Sequence, residues 1–162
     1  MTKSANKLIR YGNSSKKPVY VVIDSPGGSV IGGLPIITAI DRLNSRGIEV
    51  NCVVDGMAMS MATHILAACT NRYALPTSLI MWHPIAINLM FARLTEKSAA
   101  QIKTQLTLLS KYLDTRLRNK LRISKETFQK YNEGEYIVFA HTLDKSIAPR
   151  FLTLVDDIRV KK

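Results

Sequence analysis

Ser60 and His83 are the two residues whose types and settings in this chain could do covalent chemistry. Ser60 lies within Asp55-Gly56-Met57-Ala58-Met59-Ser60-Met61-Ala62-Thr63-His64-Ile65-Leu66-Ala67-Ala68. Here an apolar strand (Val50 to Val54) is expected to turn at Gly56 and continue as a helix of small residues. A serine at such a junction shows its hydroxyl at a sheet edge, with the free N–H groups and positive dipole end of the helix behind it. Developing negative charge is stabilised at such a place. The same position suits an ordinary N-cap serine, so Ser60 alone reads either way.

Two further stretches bear on that choice. Gly27-Gly28, inside Asp24-Ser25-Pro26-Gly27-Gly28-Ser29, has no side chains to block close approach. Its N–H groups could face an oxyanion or a substrate backbone, or simply form a tight turn between strand and helix. His83 follows Leu79-Ile80-Met81-Trp82. That places it at the carboxyl end of a strand, where sites collect in open α/β sheets. A lone histidine beside a proline has an equally ordinary structural reading.

The elements that must position these residues alternate along the chain. Ser4 to Tyr11 reads as a short helix, followed by a loop from Gly12 to Lys17. Val19-Tyr20-Val21-Val22-Ile23 is a β-branched run of the kind buried on both faces of a parallel sheet. A helix with Leu34, Ile37, Ile40 and Leu43 on one face leads to the second strand, Val50 to Val54. This is a βαβ unit. Short strands are expected around Arg72 to Ala74 and Leu79 to Trp82, separated by Leu75-Pro76-Thr77. One long amphipathic helix is predicted from Thr95 to Arg122, with Ile102, Leu106, Leu109, Leu113, Leu117 and Leu121 along its stripe. A further helical stretch opens at Ser124, Ile137 to Phe139 reads as a strand, and Leu152 to Ile158 closes the chain.

Composition narrows the class. A 162-residue chain with 46% hydrophobic and 22% charged residues is expected to be one soluble globular domain spanning 1–162. No run approaches a membrane span, and no apolar core of a secretory signal precedes the first strand. The basic, acid-free start from Met1 to Lys17 is taken as part of the mature protein. Cys52 and Cys69 lie in apolar segments without metal-ligand spacing. They read as buried free thiols in a reducing, cytoplasmic setting, with no metal or other cofactor expected. The net charge of +11 concentrates in Lys97, Lys103, Lys111, Arg116, Arg118, Lys120, Arg122, Lys125 and Lys130, against Asp114 and Glu126. Without interleaved aromatics or a nucleic-acid motif, this reads as a solvated helix face.

Taken together, Asp24-Ser25-Pro26-Gly27-Gly28-Ser29-Val30, Gly56-x-Ala58-x-Ser60-Met61, Leu75-Pro76 and Met81-Trp82-His83-Pro84 resemble the proteolytic subunit of the Clp protease, ClpP. The resemblance covers Pro18 to Pro84 and resumes toward Leu154-Val155-Asp156. It implies the ClpP/crotonase-like α/β fold of stacked ββα units with an outlying long helix. It also implies a serine endopeptidase working through an acyl-enzyme. Ser60 would be the nucleophile, His83 the general base, and Gly28 and Met61 the oxyanion-hole N–H donors. The third triad member falls to Glu135, with Glu133 and then Asp144 behind it. His64, one helical turn after Ser60, would have difficulty reaching the hydroxyl and ranks as a packing or pocket residue. His141 has no motif support.

The resemblance further implies polypeptide substrates, a homo-oligomeric ring and an AAA+ unfoldase as candidate partner, with neither membrane nor nucleic acid. Departures bear on this. The family's N-terminal axial loop and first strand have no evident counterpart before Pro18. The Gly-rich segment after the catalytic histidine is replaced by Ile85-Ala86-Ile87-Asn88-Leu89-Met90-Phe91. A catalytically weak or inactive subunit with an assembly role is the alternative. A crotonase-like acyl-CoA enzyme is disfavoured by the Ser60/His83 pair, and a Ser–Lys peptidase by the lack of an evident lysine partner.

Overall fold

The computed structural model describes residues 3–15, 17–86 and 95–157. Residues 87–91 of the segment read as replacing the family's Gly-rich stretch lie outside these, as does the end of the closing stretch at Ile158.

The strand and helix alternation folds into a mixed α/β architecture. Helix α1 (Lys3–Ser15) precedes strand β1 (Val19–Ser25), helix α2 (Val30–Asn44) and strand β2 (Val50–Met59). Helix α3 (Met61–Ala68), strands β3 (Asn71–Ala74) and β4 (Leu79–Met81), and the long helix α4 (Glu96–Leu121) follow. Helix α5 (Lys125–Gly134), strand β5 (Val138–Phe139), one turn of helix α6 (Ala140–Thr142), a π-helical turn (Leu143–Ile147) and strand β6 (Thr153–Leu154) complete the order. The sheet runs β5-β4-β2-β3-β6, with β1 also paired to β2. Every pairing is parallel except β4 with β5.

Strand β2 organises this sheet, and it does not turn at Gly56 as the sequence predicts. Its first half, Asn51 to Val54, pairs with β3, and its second half, Met57 to Met59, pairs with β4. The swerve is made opposite Asp24, where the β1–β2 register shifts. The Asp24 carboxylate accepts the Met57 N–H at 3.2 Å. Gly56 (φ 105°) is needed here, because a Cβ would fall 2.6 Å from Asp24 Oδ1. The extension carries the chain to Ser60 beside the strand that ends before His83.

Ile37, Ile40 and Leu43 of α2 pack with Val50, Cys52, Val54 and Ala58 of β2 and with Leu66 of α3 into one apolar cluster. Strand β1 departs from its expected two-sided burial. Val19 and Ile23 are buried, whereas Tyr20 and Val22 are exposed, because helices cover only one of its faces. Helix α1 runs four residues beyond Tyr11, burying Ala5 on its inner face. Helix α4 opens on a Thr95/Ser98 capping box and buries Leu113, Leu117 and Leu121 at its C-terminal end. Ile102, Leu106 and Leu109, nearer its start, are only partly covered.

Cys52 and Cys69 are not free thiols. They form a disulfide across 17 residues, with both side chains fully buried. The physical reason is the crossover from β2 through α3 to β3. Residue Asn51 pairs with Asn71, so Cys52 and Cys69, each one or two positions away, are brought side by side. The reducing setting inferred from free thiols loses that support.

Candidate active site

Ser60 occupies the N-cap position of α3 but does no capping: its side chain makes no bond to the helix N–H groups. Its backbone sits at φ 53°, ψ −124°, a conformation costly for any residue with a Cβ. Three bonds hold it there. The Ser60 N–H donates to the Met81 carbonyl at 2.9 Å, and the Ser60 carbonyl accepts the Thr63 N–H at 3.0 Å. The buried Thr63 hydroxyl lies 2.6 Å from the Met81 carbonyl and 2.7 Å from that of Ala58, so its one proton is shared between them. The Met81 carbonyl thus ties the serine turn to the strand that leads into His83.

This arrangement leaves the Ser60 hydroxyl free for His83, whose Nε2 lies 2.8 Å from Ser60 Oγ. His83 Nδ1 lies 2.7 Å from the Pro84 carbonyl oxygen. A carbonyl can only accept, so Nδ1 carries the proton and Nε2 presents its lone pair to the Ser60 hydroxyl. That is the tautomer a general base requires.

The carboxylate of Glu135 stands 3.8 Å from the same Nδ1, beyond hydrogen-bond range, with its side chain 66% exposed. Glu135 is the C-cap of α5, in a left-handed conformation (φ 50°). An aromatic stack carries it there: buried Trp82, next to His83, packs on Phe128 and Tyr131 of α5, and Tyr131 meets Tyr136 edge-on. Of its rivals, Asp144 is engaged elsewhere, accepting the Arg150 N–H at 3.1 Å. Glu133 is exposed on α5 and forms none of the ion pairs found among the described residues.

Gly28 and Met61, the expected oxyanion-hole residues, line one cleft of about 300 Å³ together with Ser60, His83 and His64. Met61 is the first residue of α3, so its N–H has no acceptor within the helix. The Gly27-Gly28 turn lies directly on the serine: a Cβ at Gly27 (φ 104°) would fall 2.6 Å from the Met59 carbonyl oxygen and 2.7 Å from Ser60 Cβ. Only glycine permits that approach. Val30, Ile31, Leu106, Leu109 and Leu113 give the cleft apolar walls.

His64 is buried in the cleft wall, beside Leu113 of α4. Burial, and then the neighbouring His83, push its pKa down to about 4, so it is neutral at physiological pH. His141 lies outside the cleft, with Nδ1 3.0 Å from the Pro76 carbonyl and its ring stacked on Phe139. Among the described residues, no three His, Cys, Asp or Glu side chains are grouped as metal ligands would be.

Sequence reasoning missed Thr63, Asp24 and the Pro84 carbonyl as positioning groups. Thr63 had a signal, a hydroxyl among the small residues three positions after Ser60. The backbone acceptor had none.

Residues 3–141 match the family model for Clp protease. The chain belongs to the Clp protease family. Gly28, Ser60, Met61, His83 and Glu135 all fall within the matched span, and the mixed α/β sheet is consistent with a ClpP-like fold. An ATP-dependent Clp protease proteolytic subunit of Ligilactobacillus salivarius is 43% identical over 81 residues, 49% of this chain and 40% of that protein. Subunit 3 of Synechococcus sp. (strain CC9605) is 44% identical over 81 residues, 39% of its own length. Subunit 2 of Cutibacterium acnes is 32% identical over 111 residues, 60% of this chain and 51% of that protein. The chain thus spans about half the length, or less, of these Clp relatives. No helix among the described residues is long and apolar enough to cross a membrane.

Proposed function

We propose that this Clp-family chain is a serine endopeptidase acting on unfolded polypeptides or peptides. The observation that carries the proposal is the 2.8 Å contact between Ser60 Oγ and the proton-accepting Nε2 of His83. Ser60 Oγ attacks the scissile carbonyl as its proton passes to His83 Nε2. The oxyanion forms beside the N–H groups of Gly28 and Met61. His83 then protonates the departing amine, and water, activated by the same base, releases the acyl group from Ser60. Glu135 acts as the acid of the triad, through its charge on the imidazolium rather than through a direct hydrogen bond. A non-catalytic assembly subunit is disfavoured by the same contact, which such a role does not need.

The proposal includes a homo-oligomeric ring, supported by the half-covered stripe of α4 and by exposed Leu108 and Tyr112 on the same helix. An AAA+ unfoldase is the proposed partner, on the resemblance to the Clp proteolytic subunit, and the cytoplasm the proposed compartment, a setting in which the buried Cys52–Cys69 disulfide would be unusual. A fluorophosphonate probe with mass-spectrometric mapping tests the chemistry. Labelling at Ser60 that is lost in Ser60→Ala and His83→Ala is the expected result. A folded, assembled protein that takes no label would overturn the proposal.

A further inference from the structure

Away from the serine cleft, five cationic side chains line an open basin of about 890 Å³: Arg72, Arg116, Lys120, Arg122 and Arg150. Thr70 and Asn119 complete its lining, which contains no acid. Two of the guanidinium groups are fixed in place. Arg72 donates from Nε to the Phe151 carbonyl at 2.8 Å and from Nη1 to the Cys69 carbonyl at 2.8 Å, and stacks over the Phe151 ring. None of those bonds uses its Nη2. Arg116 is held by Asp41 through Nη1 and Nη2, which leaves its buried Nε without a partner.

Arg72, Lys120 and Arg122 repel one another, with Arg116 contributing although Asp41 holds it. The Lys120 ammonium shows it: its pKa is lowered by desolvation and then by Arg72, Arg116 and Arg122, with Asp41 the single opposing charge. Arg72 is lowered too, by burial and then by Arg122. Asp41 offsets Arg116 through its paired bonds, while Arg72, Lys120, Arg122 and Arg150 face the basin with no acid among its lining residues.

We infer that this basin binds a polyvalent phosphate-class oxyanion, a di- or triphosphate chain. Planar guanidinium forks match phosphate oxygens in pairs, and several cations converging on one concavity suit a compact ligand of high charge density. A carboxylate-bearing surface would have to bring several acids to one point. A second copy of this chain is a poor source of them, since it too carries +11. The shared chemistry is the phosphate chain, whether free or part of a nucleotide.

The test is calorimetric titration of the full chain with inorganic tripolyphosphate, and separately with a nucleoside triphosphate, at low and moderate salt. The variant is Lys120→Gln/Arg122→Asn, chosen because Arg122 is left-handed (φ 57°) and asparagine tolerates that conformation. Lys103→Gln/Lys130→Gln makes the same change in net charge elsewhere. Expected are saturable binding that weakens as salt rises, a loss of about tenfold or more in the basin variant, and none in the control. Equal affinity for the two ligands would assign recognition to the phosphate chain alone. Tighter nucleotide binding would add contacts to the base or sugar. Absence of saturable binding at about 1 mM ligand, or equal weakening in both variants, would overturn the inference. So would a change of assembly state in the basin variant without phosphate binding, which would hand the basin to an acidic protein surface. Folding of both variants is verified by circular dichroism.

Discussion

With Ser60 and His83 working as proposed, replacing Glu135 by glutamine should slow peptide hydrolysis only modestly, and the size of the effect follows from the geometry around His83. A buried triad carboxylate that fixes the histidine tautomer is worth about 10⁴-fold in rate. Here the Pro84 carbonyl already holds the Nδ1 proton at 2.7 Å, so the variant keeps the productive tautomer. What it loses is the attraction between carboxylate and imidazolium at 3.8 Å. Coulomb's law gives about 1 kcal/mol for that separation in water-like screening and about 4 kcal/mol at an effective dielectric of about 20. With the Glu135 side chain 66% exposed, the value belongs near the lower end. A loss of about 1–2 kcal/mol is about a 5- to 30-fold fall in kcat/KM. The assay is steady-state hydrolysis of a fluorogenic peptide, with assembly state checked by size-exclusion chromatography. Because the interaction is an exposed one, added salt should slow the wild type more than the variant. A fall beyond about 1,000-fold in a folded, assembled variant would refute the reasoning. It would mean that Glu135, not the Pro84 carbonyl, sets the histidine in the working enzyme.

Thr63→Val removes the hydroxyl shared by the Met81 and Ala58 carbonyls, and should cost about 1–2 kcal/mol in urea unfolding. Because those carbonyls hold the serine turn, kcat should fall by more than KM changes, whereas a purely structural role would leave kcat per folded molecule intact. His64 gives the protein an acid-sensitive stability. Its folded pKa of about 4 lies below the ordinary 6.5, so the unfolded chain takes up the proton first, and stability is lost as pH falls between these values. The full loss is about 3 kcal/mol, and denaturant melts at several pH values should show a flatter dependence in His64→Phe. Asp114, pushed up to about 6 by burial, works with the opposite sign from that pH downward, so Asp114→Asn should steepen the acid loss. Breaking the Cys52–Cys69 disulfide with a Cys52→Ser/Cys69→Ser pair should cost about 3 kcal/mol for a loop of its 17-residue separation, read as a shifted urea midpoint.

The parts of the site legible in the sequence are those whose meaning is local. Gly27-Gly28 after a β-branched run, Ser60 between a strand and a small-residue helix, and His83 at a strand end each announce a junction through neighbouring residue types. The structure brings these three junctions to one cleft. The parts that escaped depend on distant partners. Whether β2 turns at Gly56 or swerves past it is decided by Asp24, which lies on another strand. The pairing of Cys52 with Cys69 follows from the β2–β3 register, which no spacing motif encodes. The one-sided exposure of β1 was hidden because Tyr20 and Val22 are as good in a solvent-facing strand as in a buried one.

The same division separates the groups that would do the chemistry. Ser60 and His83 are fixed to each other through backbone. The Met59–Met81 pairing and the Met81 carbonyl join their two strands, so moving the serine away from the histidine means breaking sheet register. Glu135 reaches His83 by a longer route, through Trp82, the aromatic face of α5 and a left-handed cap residue at the end of that helix. Packing contacts of this kind lack the directionality of ladder hydrogen bonds, and the carboxylate they position is largely in water. Ser60 and His83 are therefore tied by directional backbone bonds, and Glu135 by side-chain packing alone. At the same 3.8 Å, that charge acts on the imidazolium through solvent and is worth least where the carboxylate is most exposed.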